Sequence, residues 1–107
     1  MKESSYIVLF ITTANAEEAR HISGALLEQK KAACINIVPK VSSSFLWQGR
    51  IDSTQESLLI IKTKASQLDE LVRLVKDIHS YDIPEIIAVP IVGGNQQYLE
   101  WIDKEVE

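Results

Sequence analysis

The sequence has little that would build a disulfide, a membrane span or a nucleic-acid site. Its 107 residues include one cysteine, which cannot form an internal disulfide, so we expect a reducing compartment. The longest apolar runs fall far short of the roughly 20 residues that cross a bilayer. Lysine and arginine total 11 against 15 aspartate and glutamate, a net charge of -4, and no basic stripe is present to bind phosphates. We therefore expect a cytoplasmic protein that binds neither nucleic acid nor membrane.

The sequence is rich in apolar residues. A chain of this length is expected to form one domain, here residues 1–107, and to bury roughly 65% of its unfolded surface. Hydrophobic residues make up 46% of the chain, enough for a core and a surplus beyond it. That surplus favours an interface between subunits.

Hydrophobic spacing and turn residues predict seven elements. Period-2 and continuous apolar runs indicate strands, and apolar residues at helical spacing indicate helices. Side chains suited to helix caps begin each helix, with an acidic residue three positions on in the first two helices. The expected elements are a strand at 6–11, a helix capped by Asn15 with Glu18, strands at 34–38 and 41–47 with a bend near Pro39, a turn at 48–50, a strand at 52–64, a helix capped by Ser66 with Asp69, a strand at 85–91 carrying Pro90 at a sheet edge, and a helix capped by Asn95.

This order predicts an α+β fold of the ferredoxin-like βαββαβ type, with an extended hairpin and an added C-terminal helix. The hairpin between residues 35 and 64 is too long for one compact sheet to cover. Pairing with neighbouring subunits would satisfy its backbone and the open sheet edges. The fold itself hosts enzymes and binding proteins alike, so function must come from particular residues.

Cys34 and His79 are the first candidates for chemistry. Cys34 at the start of a strand is either a small buried apolar residue or a soft-metal ligand, since thiolates favour Cu(I). No local signature supplies the base that a catalytic cysteine needs, so we expect no enzyme. His79 at the end of the second helix suits the helix dipole as a capping or surface residue, and His21 is expected on the solvated face of the first helix.

Several spaced segments form a recognisable set that covers nearly the whole chain: Ala32-Ala33-Cys34, Asn36, Pro39, Trp47, Gly49, Arg50, Lys62-Thr63, the run from His79 to Glu85, and Tyr98-Leu99-Glu100-Trp101. Together these segments resemble the CutA family, small trimeric proteins named for tolerance to divalent cations.

The resemblance implies a homotrimer and a metal site at a subunit junction, with His79, Cys34 and Glu85 as candidate ligands for copper or another divalent ion. Some relatives linked to copper carry a cysteine in the first strand and two adjacent histidines before the Tyr-x-x-Pro-Glu segment. Here Ile11 and Ile78 occupy the cysteine position and the first histidine position. Only His79 remains of that set.

A second group of residues resembles the lining of a family cleft between subunits: Trp47, Lys62, Tyr81, Glu85, Tyr98 and Trp101. Trp47 just before the hairpin turn would be exposed in a monomer, which favours burial against a neighbour. Lys62 and Glu85 form either a structural ion pair or part of a cleft for a small anionic or zwitterionic ligand.

Two functions follow as expectations. The first is a trimeric divalent-cation tolerance protein that responds to metal ions and binds copper. The alternative is a trimeric sensor or scaffold, similar in shape to PII signalling proteins, that holds a small metabolite or a protein partner between subunits. The first strand and its following segment, Phe10 to Ala14, lack the glycine-rich loop and arginine of an acylphosphatase, and the aromatic strands of an RNA-recognition fold are missing.

Overall fold

The computed structural model describes residues 5–107, and its elements follow the predicted order. They are β1 (Tyr6–Thr13), α1 (Ala16–Glu28), β2 (Cys34–Trp47), β3 (Arg50–Lys64), a 3-10 turn (Ala65–Gln67), α2 (Leu68–Ile78), β4 (Ile86–Pro90) and α3 (Gln96–Glu105).

The four strands form one antiparallel sheet in the order β2-β3-β1-β4. With α1 and α2 following β1 and β3, this is the ferredoxin-like βαββαβ arrangement, and the predicted α+β fold with its added helix is confirmed. β2 and β4 are the edges of the sheet. Pro90 lies in β4, at the edge where a residue without an N–H can be accommodated.

The main core lies between one sheet face and the two helices α1 and α2. Alternate residues of β1 and β3 face the helices because side chains in a strand point to opposite sides. The opposite face, which includes Leu58 and Ile60, is only half-buried. A smaller cluster under α3 contains Leu99, Ile102 and Val106. The buried residues of the main core are Ile7, Leu9, Ile11, Ala19, Ile22, Leu26, Ala32, Leu59, Ile61, Leu71 and Val75.

The β2-β3 hairpin extends beyond the rest of the fold. Its two-residue turn has positive φ at both Gln48 (51°) and Gly49 (79°), as in the turns that match the twist of paired strands. A bulge interrupts the register between Val38 and Val41, which confirms the predicted bend. The radius of gyration is 14.5 Å, larger than the roughly 13 Å expected of a compact chain of this length.

Two of the three predicted helix caps are confirmed and one is wrong. The Asn15 side chain accepts a hydrogen bond from Glu18 N–H, and Asn95 accepts one from Gln97 N–H. The prediction for Ser66 fails because a 3-10 turn occupies Ala65–Gln67, and α2 begins after Gln67 without a side-chain cap. The chain thus reaches α2 through a tighter turn than the capping pattern implied.

Candidate functional site

His79 lies where α2 ends, and its side chain is fully buried against the end of β1. Its Nδ1 accepts a hydrogen bond from the backbone N–H of Tyr81 at 3.0 Å. Because Nδ1 is the acceptor, Nε2 carries the ring proton and donates it to the Thr12 carbonyl oxygen at 2.8 Å. Both ring nitrogens therefore bind backbone groups of the same chain, and metal coordination by His79 would require one of these bonds to break.

The Glu18 carboxylate joins the start of α1 to the loop after α2. Its Oε1 accepts hydrogen bonds from Ala14 N–H and the Ser80 hydroxyl, and its Oε2 accepts one from Ser80 N–H. Oε2 also lies 3.8 Å from Nδ1 of His79. Burial alone would raise the pKa of Glu18, but these hydrogen bonds to the charged form outweigh burial, and the pKa is lowered.

Tyr81 connects the same loop to β3. Its hydroxyl donates a hydrogen bond to Oε2 of Glu56 at 2.7 Å, and its ring packs 4.8 Å from that of His79. Burial, followed by the hydrogen bond and the negative charge of Glu56, raises the pKa of Tyr81 to about 12. The hydroxyl is therefore a neutral donor at physiological pH.

Cys34, Lys62 and Tyr98 come together on a different part of the molecule, the sheet face away from α1 and α2. Cys34 lies opposite Lys62 in the register of β2 and β3. The Tyr98 hydroxyl lies near the Cys34 thiol, and burial, followed by the interaction with this thiol, raises the pKa of Tyr98. Lys62 Nζ donates to the side-chain oxygen of Asn36. Tyr98 also packs against Trp101, with ring centroids 5.5 Å apart.

The other predicted site residues lie apart from this group. Trp47 is at the tip of the hairpin with 62% of its surface exposed, and Glu85 is exposed just before β4. Among residues 5–107, the salt bridges do not include one between Lys62 and Glu85. Of the six residues of the predicted cleft, one subunit thus brings together Lys62, Tyr98 and Trp101 only.

The three candidate metal ligands are not gathered within one subunit. Cys34 aligns with Lys62 and, through it, with Val8, whereas His79 contacts Thr12. Four residue steps along β1 separate these positions, on the order of 13 Å. In the part of the chain that the structure describes, no three His, Cys, Asp or Glu side chains are close enough to hold a metal ion. A single subunit therefore does not fit a copper ion with these ligands.

A family model described as CutA1 divalent ion tolerance protein matches residues 7–105. The chain belongs to this family. The divalent-cation tolerance protein CutA of Thermus thermophilus is 45% identical over 95 residues, which cover 89% of this chain and 92% of that protein. The chloroplastic protein CutA 1 of Oryza sativa is 48% identical over 96 residues, covering 90% of this chain and 54% of the rice protein. The chain thus spans about half the length of that plant relative.

Solved CutA1 structures share the fold closely. The crystal structure of the Oryza sativa protein superposes with a TM-score of 0.94 at 44% identity, covering 98% of this chain and 96% of that chain. The Thermus thermophilus structure also gives 0.94, at 42% identity and with coverage of 95% and 99%. The Thermus thermophilus relative is named as a divalent-cation tolerance protein. Among residues 5–107, none of the helices is long and apolar enough to cross a membrane.

In this member of the CutA family, the partners of the recognised residues were missed by sequence reasoning. Glu18 was interpreted only as part of a helix cap, and Glu56 only as a strand residue. Their contacts with Ser80 and Tyr81 join residues 62 and 25 positions apart. A local pattern cannot reveal such pairs, because the fold brings each acidic residue to its partner from a distant position in the sequence.

Proposed function

We propose that this chain acts as a cytoplasmic homotrimer in the tolerance of divalent cations, as a binding protein and not as an enzyme. Membership of the CutA family supports the link to divalent cations. The lone cysteine supports a reducing compartment. The main observation in support of assembly is the exposed apolar surface of the protruding hairpin.

That surface is unusual for a monomer. Leu46, Trp47 and Ile51 at the hairpin tip are 75%, 62% and 83% exposed, and large apolar side chains clustered this way mark interaction sites. The edge strands β2 and β4 also leave backbone groups available for pairing. A second copy of the chain supplies matching apolar and strand surfaces. The number of subunits, three, is taken from the resemblance to CutA proteins.

Copper is the metal we propose, with Cys34 as its first ligand. Thiolate is the side chain that favours Cu(I), and Cys34 is partly exposed. Its thiol lies near the side chain of Tyr98 and takes no part in the backbone ladder, so metal binding there leaves the ladder intact. A homotrimer contributes three Cys34 thiols, a set that no single subunit holds. His79 and Glu85 are the further ligands to test, although His79 must first release one backbone contact.

Native mass spectrometry tests both parts of the proposal. The metal-stripped protein would be titrated with Cu(I) under reducing conditions, beside a Cys34→Ser/His79→Gln double variant and a His21→Gln control on the exposed face of α1. We expect a trimer that takes up a fixed number of ions, with uptake lost in the double variant and kept in the control. Stoichiometric uptake by the double variant would refute this ligand assignment.

A second candidate function rests on Lys62. The salt bridges among residues 5–107 do not include Lys62, and its ammonium group contacts the neutral side chain of Asn36. Cys34, which lies opposite Lys62 in the register of the sheet, is next to Tyr98, whose ring packs against that of Trp101. A cation next to aromatic surface suits an anionic metabolite or protein partner held between subunits, as in a PII-like sensor or scaffold. A trimer that ignores copper but retains a co-purified small molecule would favour this function.

A further inference from the structure

A separate pocket lies at the end of the sheet where β1 leads into α1. It has a volume of about 230 Å³ and is lined by residues 14–16, 39–40 and 55–57. These segments are the start of α1, the bulge of β2 and the facing part of β3. All of its lining residues come from one chain, and they include neither Cys34 nor His79.

Glu56 gives one wall of this pocket a negative charge. The residue is only 8% exposed, and its Oε2 accepts the hydrogen bond from the Tyr81 hydroxyl at 2.7 Å. The salt bridges within residues 5–107 do not include Glu56. A carboxylate has about four acceptor sites, so this one has capacity beyond the single bond from Tyr81. A cationic group entering the pocket could pair with that remaining capacity.

Lys40 supplies the opposite charge on the same pocket. It lies in the β2 bulge with a φ of 59°, and bulges of this kind redirect a side chain out of the regular strand alternation. Lys40 is exposed, and within the described part of the chain it too is absent from the salt bridges. The residues that line this small pocket thus include a glutamate and a lysine that form no salt bridge with each other.

We propose that this pocket binds a small zwitterion, whose ammonium group pairs with Glu56 and whose anionic group pairs with Lys40. A pocket volume of about 230 Å³ suits a ligand with a few carbon atoms. Short amino acids and amino-sulfonates belong to this class. The site does not depend on metal binding, so its test is independent of the copper proposal.

Amide chemical shifts of the full-length protein in chelator-containing buffer test the site directly. The probes are β-alanine, γ-aminobutyrate and taurine, with propionate and propylamine as singly charged controls of similar size. We expect at least one zwitterion to shift the amides of residues 14–16, 40 and 55–57, and to bind at least tenfold more tightly than either control. No shift at these amides with any zwitterion, or equal affinity for the singly charged compounds, would overturn the proposal.

Two variants remove the charge of Glu56 or Lys40 with little change in the shape of the pocket. Glu56→Gln keeps an acceptor for Tyr81 but removes the charge, and Lys40→Asn keeps a residue that tolerates positive φ. Each should weaken zwitterion binding at least tenfold, whereas Glu17→Gln, on the exposed side of α1, should leave it unchanged. Unchanged affinity in either pocket variant would overturn the assignment. Should Glu56→Gln fail to fold, the Lys40→Asn result decides alone.

Discussion

The Nε2 of His79 and the carbonyl oxygen of Thr12 lie 2.8 Å apart and join the end of α2 to the end of β1. The same ring accepts the Tyr81 N–H through Nδ1. A histidine that resembles a metal ligand in the sequence therefore connects backbone segments 67 residues apart. In one subunit its contacts are those of a buried structural residue.

Replacing His79 by alanine should destabilise the fold. The substitution removes two hydrogen bonds and leaves a buried carbonyl without its donor, at a cost of about 2 to 4 kcal/mol in the free energy of unfolding. Urea unfolding at a fixed protein concentration measures the change, since assembly shifts apparent stability. His21→Ala, on the exposed face of α1, is the matched control. Equal stability of the two variants would show that the buried contacts contribute little.

Glu18 should make stability depend on acid pH. Its folded pKa is lowered from the ordinary value of 4.5, so its contribution is fully present above pH 4.5 and is lost as the pH falls through the folded pKa. The stability difference between the wild type and Glu18→Gln should therefore be largest near pH 7 and shrink below about pH 4.5. Thermal unfolding from pH 7 to pH 3 measures this, with Glu17→Gln as the control. A difference independent of pH would contradict the role of the Glu18 charge.

Tyr81 should titrate at high pH. Burial and Glu56 raise its pKa from 10.0 to about 12, so the stability it contributes is complete below pH 10 and is lost as the pH rises toward 12. Ultraviolet absorbance near 295 nm follows phenolate formation, and the difference between the wild type and Tyr81→Phe isolates this residue. A Tyr81 signal with a midpoint at pH 10 would show that the hydroxyl is solvated and not held by Glu56.

Local features of the fold were predictable, and the sites that depend on distant contacts were not. Asn15 and Asn95 cap helices as expected because the acceptor and its N–H lie two or three residues apart. Ser66 satisfied the same local pattern, yet the chain forms a 3-10 turn there. The capping preference is worth only about 1 kcal/mol, which packing of the Leu71 and Val75 face can override.

In the candidate site, too, the residues were predictable from the sequence and their distant contacts were not. The resemblance identified Cys34, Lys62 and Tyr98 in three separate segments, and the structure brings these together on one sheet face. It also identified His79 without indicating that Thr12 would occupy its Nε2. The sequence gives the identity of each side chain. Tertiary packing determines which group forms a hydrogen bond with a given nitrogen or oxygen atom.

Trp47 should contribute much of the free energy of the proposed subunit association. Its ring is 62% exposed at the end of an extended hairpin, and tryptophan is among the residues that contribute most to interfaces, commonly 2 kcal/mol or more. Trp47→Ala should therefore weaken association by roughly 30-fold per interface, without loss of the fold, since the side chain packs little within its own subunit.

Sedimentation velocity over a dilution series measures the effect of Trp47→Ala, and far-ultraviolet circular dichroism checks that the subunit stays folded. Leu27→Ala is the matched control, because Leu27 is a 42% exposed apolar residue on α1, outside the hairpin. We expect the control to sediment as the wild type does and the Trp47 variant to dissociate at higher concentration. A Trp47 variant that remains as tightly assembled as the control at the lowest concentration would place the interface elsewhere on the molecule.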